Sequence, residues 1–149
     1  MRKKWFVVFI ALLSVLFVSA CSGDGDKVSG KTFKVAYTPA HQEDIDDPSN
    51  YKPIMKLNFS DDNVVTNTMG DEEGTYELNE DMLVVNFENE NEKLKIEFVD
   101  FKESDTDFSA YSTSIGDAEL KIEDNEQISH LKGLTSNISK DMPIEFIEE

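Results

Sequence analysis

The chain has a single cysteine, Cys21, which stands directly after a long apolar run. Because there is no second cysteine, a disulfide within the chain is impossible and the thiol needs another role. The residues before it are Val18, Ser19 and Ala20, an aliphatic residue followed by two small ones. Small residues at these positions suit the pocket of a signal peptidase. The stretch therefore predicts a processing site at Cys21.

The segment before Cys21 has the composition of an export signal. Arg2, Lys3 and Lys4 precede residues 5–18, which are apolar except for Ser14. A charged start, an apolar middle and small residues at the end are typical of a cleaved signal peptide. The apolar run is shorter than the roughly 20 residues that a membrane-spanning helix needs.

Val18-Ser19-Ala20-Cys21 resembles the lipobox of bacterial lipoproteins. The resemblance implies lipid addition to Cys21, cleavage before it and a diacylglyceryl anchor on the new N-terminus. We therefore expect a signal peptide over residues 1–20, a flexible linker over 21–30 and one domain over 31–149. The expected location is the extracytoplasmic face of a membrane, and the serine after the cysteine favours the outer membrane where the host has one.

Acidic residues dominate the part of the chain that follows the signal. The formal charge is −17 and includes the three basic residues of the signal, so the mature chain carries −17 − 3, or −20. Such a charge opposes nucleic-acid binding, which needs Lys and Arg to neutralise phosphates. It favours basic partners or cations, and it also keeps an exported domain soluble.

Residues able to support catalysis are scarce. Only His41 and His130 could act as imidazole bases, and neither follows a nucleophile motif. The stretches that begin at Asp24 and Asp105 lack the glycine and glutamate that a calcium loop requires. Zinc would require clustered histidine and cysteine, which this chain lacks. We therefore expect no enzyme activity, no metal and no cofactor.

From Lys31 onward, apolar residues recur at every second position, as in half-buried strands. The alternation is clear in "KTFKVAYTP", "PIMKLNFS", "TYELNE", "LVVNFENE" and "EKLKIEFVDF", and weaker in "VVTNTM". The breaks "SDDN", "GDEEG", "NEDM" and "ENEN" are short and polar, which is typical of hairpins. "FSAYSTSI" and "DAELKIED" indicate strands on either side of residues 116–117, and "PIEFIEE" a last strand.

Two segments depart from this alternation. Ile128, Leu131, Leu134 and Ile138 have helix-like spacing, which predicts one short helix or loop near residues 126–140. Residues 39–53 form a long polar connection with three prolines.

The pattern predicts an all-β antiparallel meander of about eight strands that closes into a small barrel, since closure removes exposed strand edges. The stretch "GTYELNEDMLVVNF", preceded by "MKLNFSDDNVV", is similar to the middle of lipocalin-like barrels found in bacterial lipoproteins. Large side chains of the alternating stretches would face inward, where they either fill the barrel or contact a ligand. The candidate ligand-binding residues are Phe33, Tyr37, Phe59, Tyr76, Phe87 and Phe98.

Two functions follow from these features. One is a lipid-anchored binding protein that holds a small apolar ligand inside the barrel, because barrel mouths commonly form pockets. The other is an acidic interaction or inhibitor module that captures a basic exported protein at the cell envelope. Bacterial lysozyme inhibitors are small barrels of the second kind, and "FSAYSTSIGDAELKI" is similar to their Ser-rich strand and hairpin.

Overall fold

The computed structural model describes residues 27–124 and 126–149. They form eight antiparallel strands in which each strand pairs with the next, and the last strand pairs with the first to close a barrel. The strands are β1 (Thr32–Tyr37), β2 (Pro53–Phe59), β3 (Val64–Asn67), β4 (Glu72–Asn79), β5 (Met82–Glu88), β6 (Glu92–Glu103), β7 (Tyr111–Ile122) and β8 (Pro143–Glu148). The predicted all-β closed meander is confirmed.

The barrel closes because the alternating residues of neighbouring strands fall opposite one another. Along β5 and β6, Leu83 pairs with Phe98 and Phe87 pairs with Leu94, so the apolar residues of both strands share one face. That face is the interior, where these four side chains are buried. A shift of one residue in the pairing would turn the apolar set towards solvent, which fixes the register.

One helix, α1 (Leu131–Ser136), lies within the described residues, in the region where a short helix or loop is predicted. Leu131 and Leu134 are buried in the barrel core, and Ile138 packs against it. Ile128 has the same spacing but precedes the helix and is 84% exposed. It therefore does not contribute to the buried face of α1.

Residues 116–117 are not a turn between two strands, as the sequence suggested. Tyr111–Ile122 is one continuous strand, and its pairing with β6 shifts between Glu97 and Phe98. Gly116 lies at this irregularity, where an added Cβ would come within 2.8 Å of a Val99 methyl. The glycine therefore makes room for a side chain of the neighbouring strand rather than reversing the chain.

The described chain begins with a turn that belongs to the barrel. Residues 27–30 fall within the predicted linker, yet Val28 is fully buried in the core. The Gly30 amide donates to the Phe59 carbonyl at 2.8 Å, and the Tyr111 hydroxyl donates to the Lys27 carbonyl at 3.2 Å. A soluble form of the domain must therefore include Lys27 and Val28.

The barrel has two distinct ends. We call the end where Lys27 joins the barrel the near end; it carries the turns at residues 60–63 and 80–81. The opposite, far end carries the turns at residues 68–71 and 89–91 together with α1. Side chains at the far end therefore lie on the side of the barrel opposite to Lys27.

The long connection between β1 and β2 is pinned to the outside of the barrel. Its Tyr51 packs with Ala36, Ile147 and Phe108 in a second, smaller apolar cluster. The Tyr51 ring meets the Phe108 ring edge-on, with centroids 5.2 Å apart, and its hydroxyl donates to the Ile45 carbonyl. This cluster joins two loops across the surface where β8 meets β1.

Candidate functional site

The predicted ligand-binding aromatics are mostly core residues. Phe33, Phe59, Tyr76, Phe87 and Phe98 are each no more than 1% exposed. Tyr37 is half-buried at the far end of β1, where its hydroxyl donates to the Asn137 carbonyl and accepts from the Ser139 amide. Tyr37 therefore fastens the segment that follows α1 to the barrel.

The inward rings contact one another. Phe33 lies edge-on to Phe59, Tyr111 and Phe146, with centroids 5.8 to 5.9 Å apart. Phe59 in turn meets Tyr76 at 4.8 Å. Edge-to-face pairs of this kind contribute about 0.5–1.5 kcal/mol each beyond the area that they bury. The aromatic cluster thus fills the interior, and a ligand among these rings would have to separate them.

At the far end, α1 is held to the barrel by one buried carboxylate. Glu92, the first residue of β6, is 1% exposed. It accepts hydrogen bonds from the Ser129 hydroxyl, from the backbone amides of His130 at 2.6 Å and Leu131 at 3.0 Å, and from Asn89 Nδ2 at 3.1 Å. Glu92 therefore supplies to the first turn of α1 the acceptor that a side chain at the helix N-terminus usually provides.

The surroundings of Glu92 keep it ionised. Burial alone would raise the pKa of its carboxyl, since a low-dielectric site disfavours the charged form. The hydrogen bonds from Ser129, Leu131, Asn89 and His130 outweigh burial, so the pKa lies below its ordinary value. A charged carboxylate with four donors is a strong local tie between β6 and α1.

Beside α1 the far end opens into a cleft of about 310 Å³. Its walls are the β3–β4 turn, the end of β5 and the first residues of the helix. Phe87 and Leu131, both buried, form an apolar part of the lining. We call this the acidic cleft, since Asp71, Glu72, Glu73 and Glu88 line it together with Gly70, Asn89 and His130.

The four carboxylates of the acidic cleft differ in their partners. Glu88 forms an ion pair with Lys93 at 2.6 Å, and Glu72 accepts from Asn67 Nδ2 at 2.6 Å. Asp71 and Glu73 are exposed and form no ion pair with any residue in the described part of the chain. The cleft thus presents two unneutralised carboxylates near an apolar surface.

The backbone of the β3–β4 turn shapes this lining. Asp71 has a left-handed conformation, with φ of 60°, which aspartate tolerates better than most residues. Gly70 lies under the Glu72 carboxylate, and a Cβ at residue 70 would collide with that group. Asn67 is buried below the turn, where its side-chain oxygen accepts from the amides of Lys56 and Met69.

A neighbouring cleft on the outer wall provides a contrast. It has a similar volume, about 330 Å³, and is lined by Lys93, Lys95 and Lys121 as well as by Glu88 and Glu119. There, Lys93 pairs with Glu88 and Lys121 pairs with Glu119 at 3.3 Å. Lys95 pairs with Glu97 at 2.6 Å, so both glutamates of that cleft already have a lysine partner and the cleft has no strong preference for a further cation.

A third, more open cleft of about 510 Å³ lies where the β1–β2 connection meets the segment after α1. Tyr37 lines it with Thr38, Lys52, Ile54 and Asn137. Two predicted residues thus border far-end clefts, Phe87 in the acidic cleft and Tyr37 here, whereas the other four lie within the core.

Sequence reasoning missed Glu92, although a signal was present. Glu92 occupies the same phase as Leu94, Ile96 and Phe98, the inward positions of β6. A charged residue on the apolar phase of a strand predicts a buried carboxylate with several donors, since an unsatisfied one is very costly. No feature of the sequence distinguishes Asp71 and Glu73 from the other acidic residues, of which the chain has 31 in all.

The predicted lipobox, Cys21 and the signal peptide lie outside the described residues. Within residues 27–124 and 126–149, no three His, Cys, Asp or Glu side chains are grouped so that they could hold a metal ion. In the same part of the chain, no helix is long and apolar enough to cross a membrane.

Comparison with known proteins gives no relative for this chain. No family model, no curated protein and no solved structure matches it.

Proposed function

We propose that this protein is a lipid-anchored, extracytoplasmic binding module that captures a basic exported protein or peptide in the acidic cleft. The observation that carries the proposal is a cleft with an apolar lining and carboxylates that lack a cation of their own. Asp71 and Glu73 are the two unpaired carboxylates, and Phe87 and Leu131, each no more than 2% exposed, form the apolar base of the cleft.

The chemistry of this cleft suits a lysine or arginine side chain. Such a side chain has an apolar stem that packs on apolar surface and a cationic head that remains near carboxylates and water. The stem would lie along Phe87 and Leu131, while the head would meet Asp71 and Glu73. The formal charge of −20 beyond the signal adds a long-range attraction for basic partners, which mainly accelerates their association.

The predicted anchor is compatible with this use of the far end. Cys21 precedes Lys27 by six residues, a length that reaches at most about 20 Å when extended. Since Lys27 joins the barrel at the near end, an anchored barrel would have its near end towards the membrane. The acidic cleft would then face away from the lipid, where exported proteins are accessible.

The other predicted function, an apolar ligand inside the barrel, finds less support. Its proposed contacts Phe33, Phe59, Tyr76 and Phe98 are engaged with other rings of the core. Binding among them would cost the edge-to-face contacts before any gain from the ligand. The acidic cleft needs no such rearrangement.

Fluorescence anisotropy with a labelled hexalysine peptide tests the proposal on the full chain in a nonionic detergent. The cleft variant Asp71→Asn/Glu73→Gln removes two negative charges from the far end. The matched control Asp62→Asn/Glu80→Gln removes the same two charge types from exposed near-end turns, and Asp62 shares the left-handed conformation of Asp71.

We expect the cleft variant to weaken binding roughly fivefold to tenfold, since each lost ion pair contributes up to about 1 kcal/mol. The control should weaken it less than about twofold, because distant charges are screened by salt. Equal weakening in both variants would show that the peptide responds only to total charge, and the acidic cleft would not be the binding site.

A further inference from the structure

The helix at the far end is a separate cover rather than a continuation of the barrel wall. The strands pair directly with one another, from β1 through β8 and back to β1, without α1. Leu131 and Leu134 nevertheless belong to the same apolar cluster as the inward residues Leu94, Ile96 and Ile115. The helix contacts β6 and β7. Removing α1 would therefore uncover the apolar interior while leaving every strand pair intact.

The helix is weak on its own. It has only six residues, and isolated helices of this length do not persist in water. Gly133 lies in its middle, where glycine costs about 1 kcal/mol relative to alanine. No side chain at its own N-terminal cap position accepts a hydrogen bond from the helix. Its position depends on the buried leucines, on Glu92 at its start and on Tyr37, which holds the segment after its end.

Glu92 has the geometry of a latch. Apart from the bond with Asn89, every hydrogen bond that the Glu92 carboxylate accepts comes from the turn that leads into α1. Ser129, which donates to Glu92, also accepts from the Lys132 amide at 3.1 Å and so extends the tie into the helix. When these bonds break together, the first turn of α1 loses its polar attachment to β6.

We propose that α1 is a hinged lid over the apolar interior of the barrel, held closed by Glu92. The segments 126–130 and 137–142 would act as its two hinges, and the barrel would stay closed around its circumference while the lid opens. The open state would expose the apolar core residues that Leu131 and Leu134 cover when the lid is closed. Because His130 and Leu131 also line the acidic cleft, opening of the lid would remove one wall of that cleft.

Amide hydrogen exchange followed by mass spectrometry on the full chain in nonionic detergent tests the lid. Amides of residues 130–136 should exchange at least about tenfold faster than the core amides of β5 and β6, because local opening requires less free energy than global unfolding. Glu92→Gln should accelerate exchange in α1 by a further factor on the order of tenfold, with β5 and β6 changed much less.

Three variants make the result specific. Glu145→Gln is the matched control, since Glu145 is also buried and accepts from Ser104 but lies on β8; it should leave α1 exchange unchanged. Ser129→Ala removes one donor to Glu92 and should act in the same direction as Glu92→Gln, only less strongly, which covers the case of a poorly folded Glu92 variant. Gly133→Ala should slow α1 exchange severalfold.

Two results would overturn the proposal. One is exchange of α1 at the rate of the β5 and β6 core in the unaltered chain. The other is a Ser129→Ala or Glu92→Gln variant that accelerates α1 and the strands by the same factor. In either case the helix would open only when the whole barrel unfolds.

Discussion

At the scale of single residues, Glu92 shows how one buried carboxylate organises the far end. Burying a charge is costly unless several donors compensate for it, and here Ser129, Asn89 and two backbone amides do so. The same bonds keep its pKa below the ordinary value of 4.5 despite burial. Glu92 thus stabilises the fold in its charged form.

The Glu92→Gln variant should be less stable by about 1–3 kcal/mol at neutral pH, the usual cost of leaving buried donors with a poorer acceptor. Because the folded pKa is lowered, the contribution of the charge is present above the unfolded pKa, near 4.5, and is lost as pH falls through the folded pKa. Chemical denaturation of both proteins at several pH values measures this. A stability difference that stays constant from neutral pH to well below 4.5 would contradict it.

At the scale of elements, close contacts between strands place strict demands on certain residues. Gly74 in β4 pairs with Phe87 in β5, and an added Cβ would come 1.9 Å from the Asn86 carbonyl oxygen. The obstacle is backbone, so a rotamer change cannot relieve it. Gly133 is the opposite case, because an added Cβ there meets nothing within 4 Å.

Gly74→Ala should therefore destabilise the barrel by about 1–3 kcal/mol, as overpacked sites usually do. Thermal or chemical unfolding followed by circular dichroism gives the change. Thr75→Ala is a suitable control because it alters an exposed neighbour on the same strand. If the Gly74 variant and the unaltered chain had the same free energy of unfolding, β4 and β5 would have to shift apart locally without any loss of stability. That result would contradict the prediction.

Gly133→Ala should raise the free energy of unfolding by up to about 1 kcal/mol, because α1 is helical in the folded barrel and is lost when the barrel unfolds. The same denaturation experiment measures the change. A loss of stability would contradict the open space that surrounds Gly133.

Alternation along the chain was sufficient to predict the strands and the closed barrel, and helix-like spacing predicted a short helix or loop in the region where α1 lies. It failed at Gly116, where a polar, glycine-containing pair resembles a turn but instead accommodates Val99 within a continuous strand. The weaker alternation in "VVTNTM" also ran on to Met69, whereas β3 ends at Asn67 and Met69 is 55% exposed. Where a strand ends and which side chain needs space depend on the neighbouring strand, which a single stretch of sequence does not contain.

At the scale of the whole molecule, charge and polarity of the barrel determine what it can bind and from which side. The sequence predicted an acidic protein anchored through Cys21 but did not indicate which carboxylates act together. The closed topology brings the β3–β4 turn, the end of β5 and α1 to one end. The acidic cleft arises from that meeting of distant segments, so only the fold reveals it.

Cys21→Ser should release the protein from the membrane fraction or leave it as an uncleaved precursor, since lipid chains stabilise membrane attachment by about 0.8 kcal/mol per buried methylene. Fractionation of cells, with the variant's size on a gel, measures both. Ser22→Ala provides the control, because it alters the neighbouring residue and keeps the thiol. A Cys21→Ser protein that is processed and membrane-bound like the unaltered chain would contradict the lipobox interpretation.

Capture of a basic segment by the acidic cleft can be measured by zero-length coupling of hexalysine amines to carboxylates, followed by mapping of the coupled residues. We expect the peptide to couple mainly to Asp71 and Glu73, and excess free hexalysine to suppress this coupling. Coupling spread over the exposed carboxylates of both barrel ends, in proportion to their exposure, would contradict it.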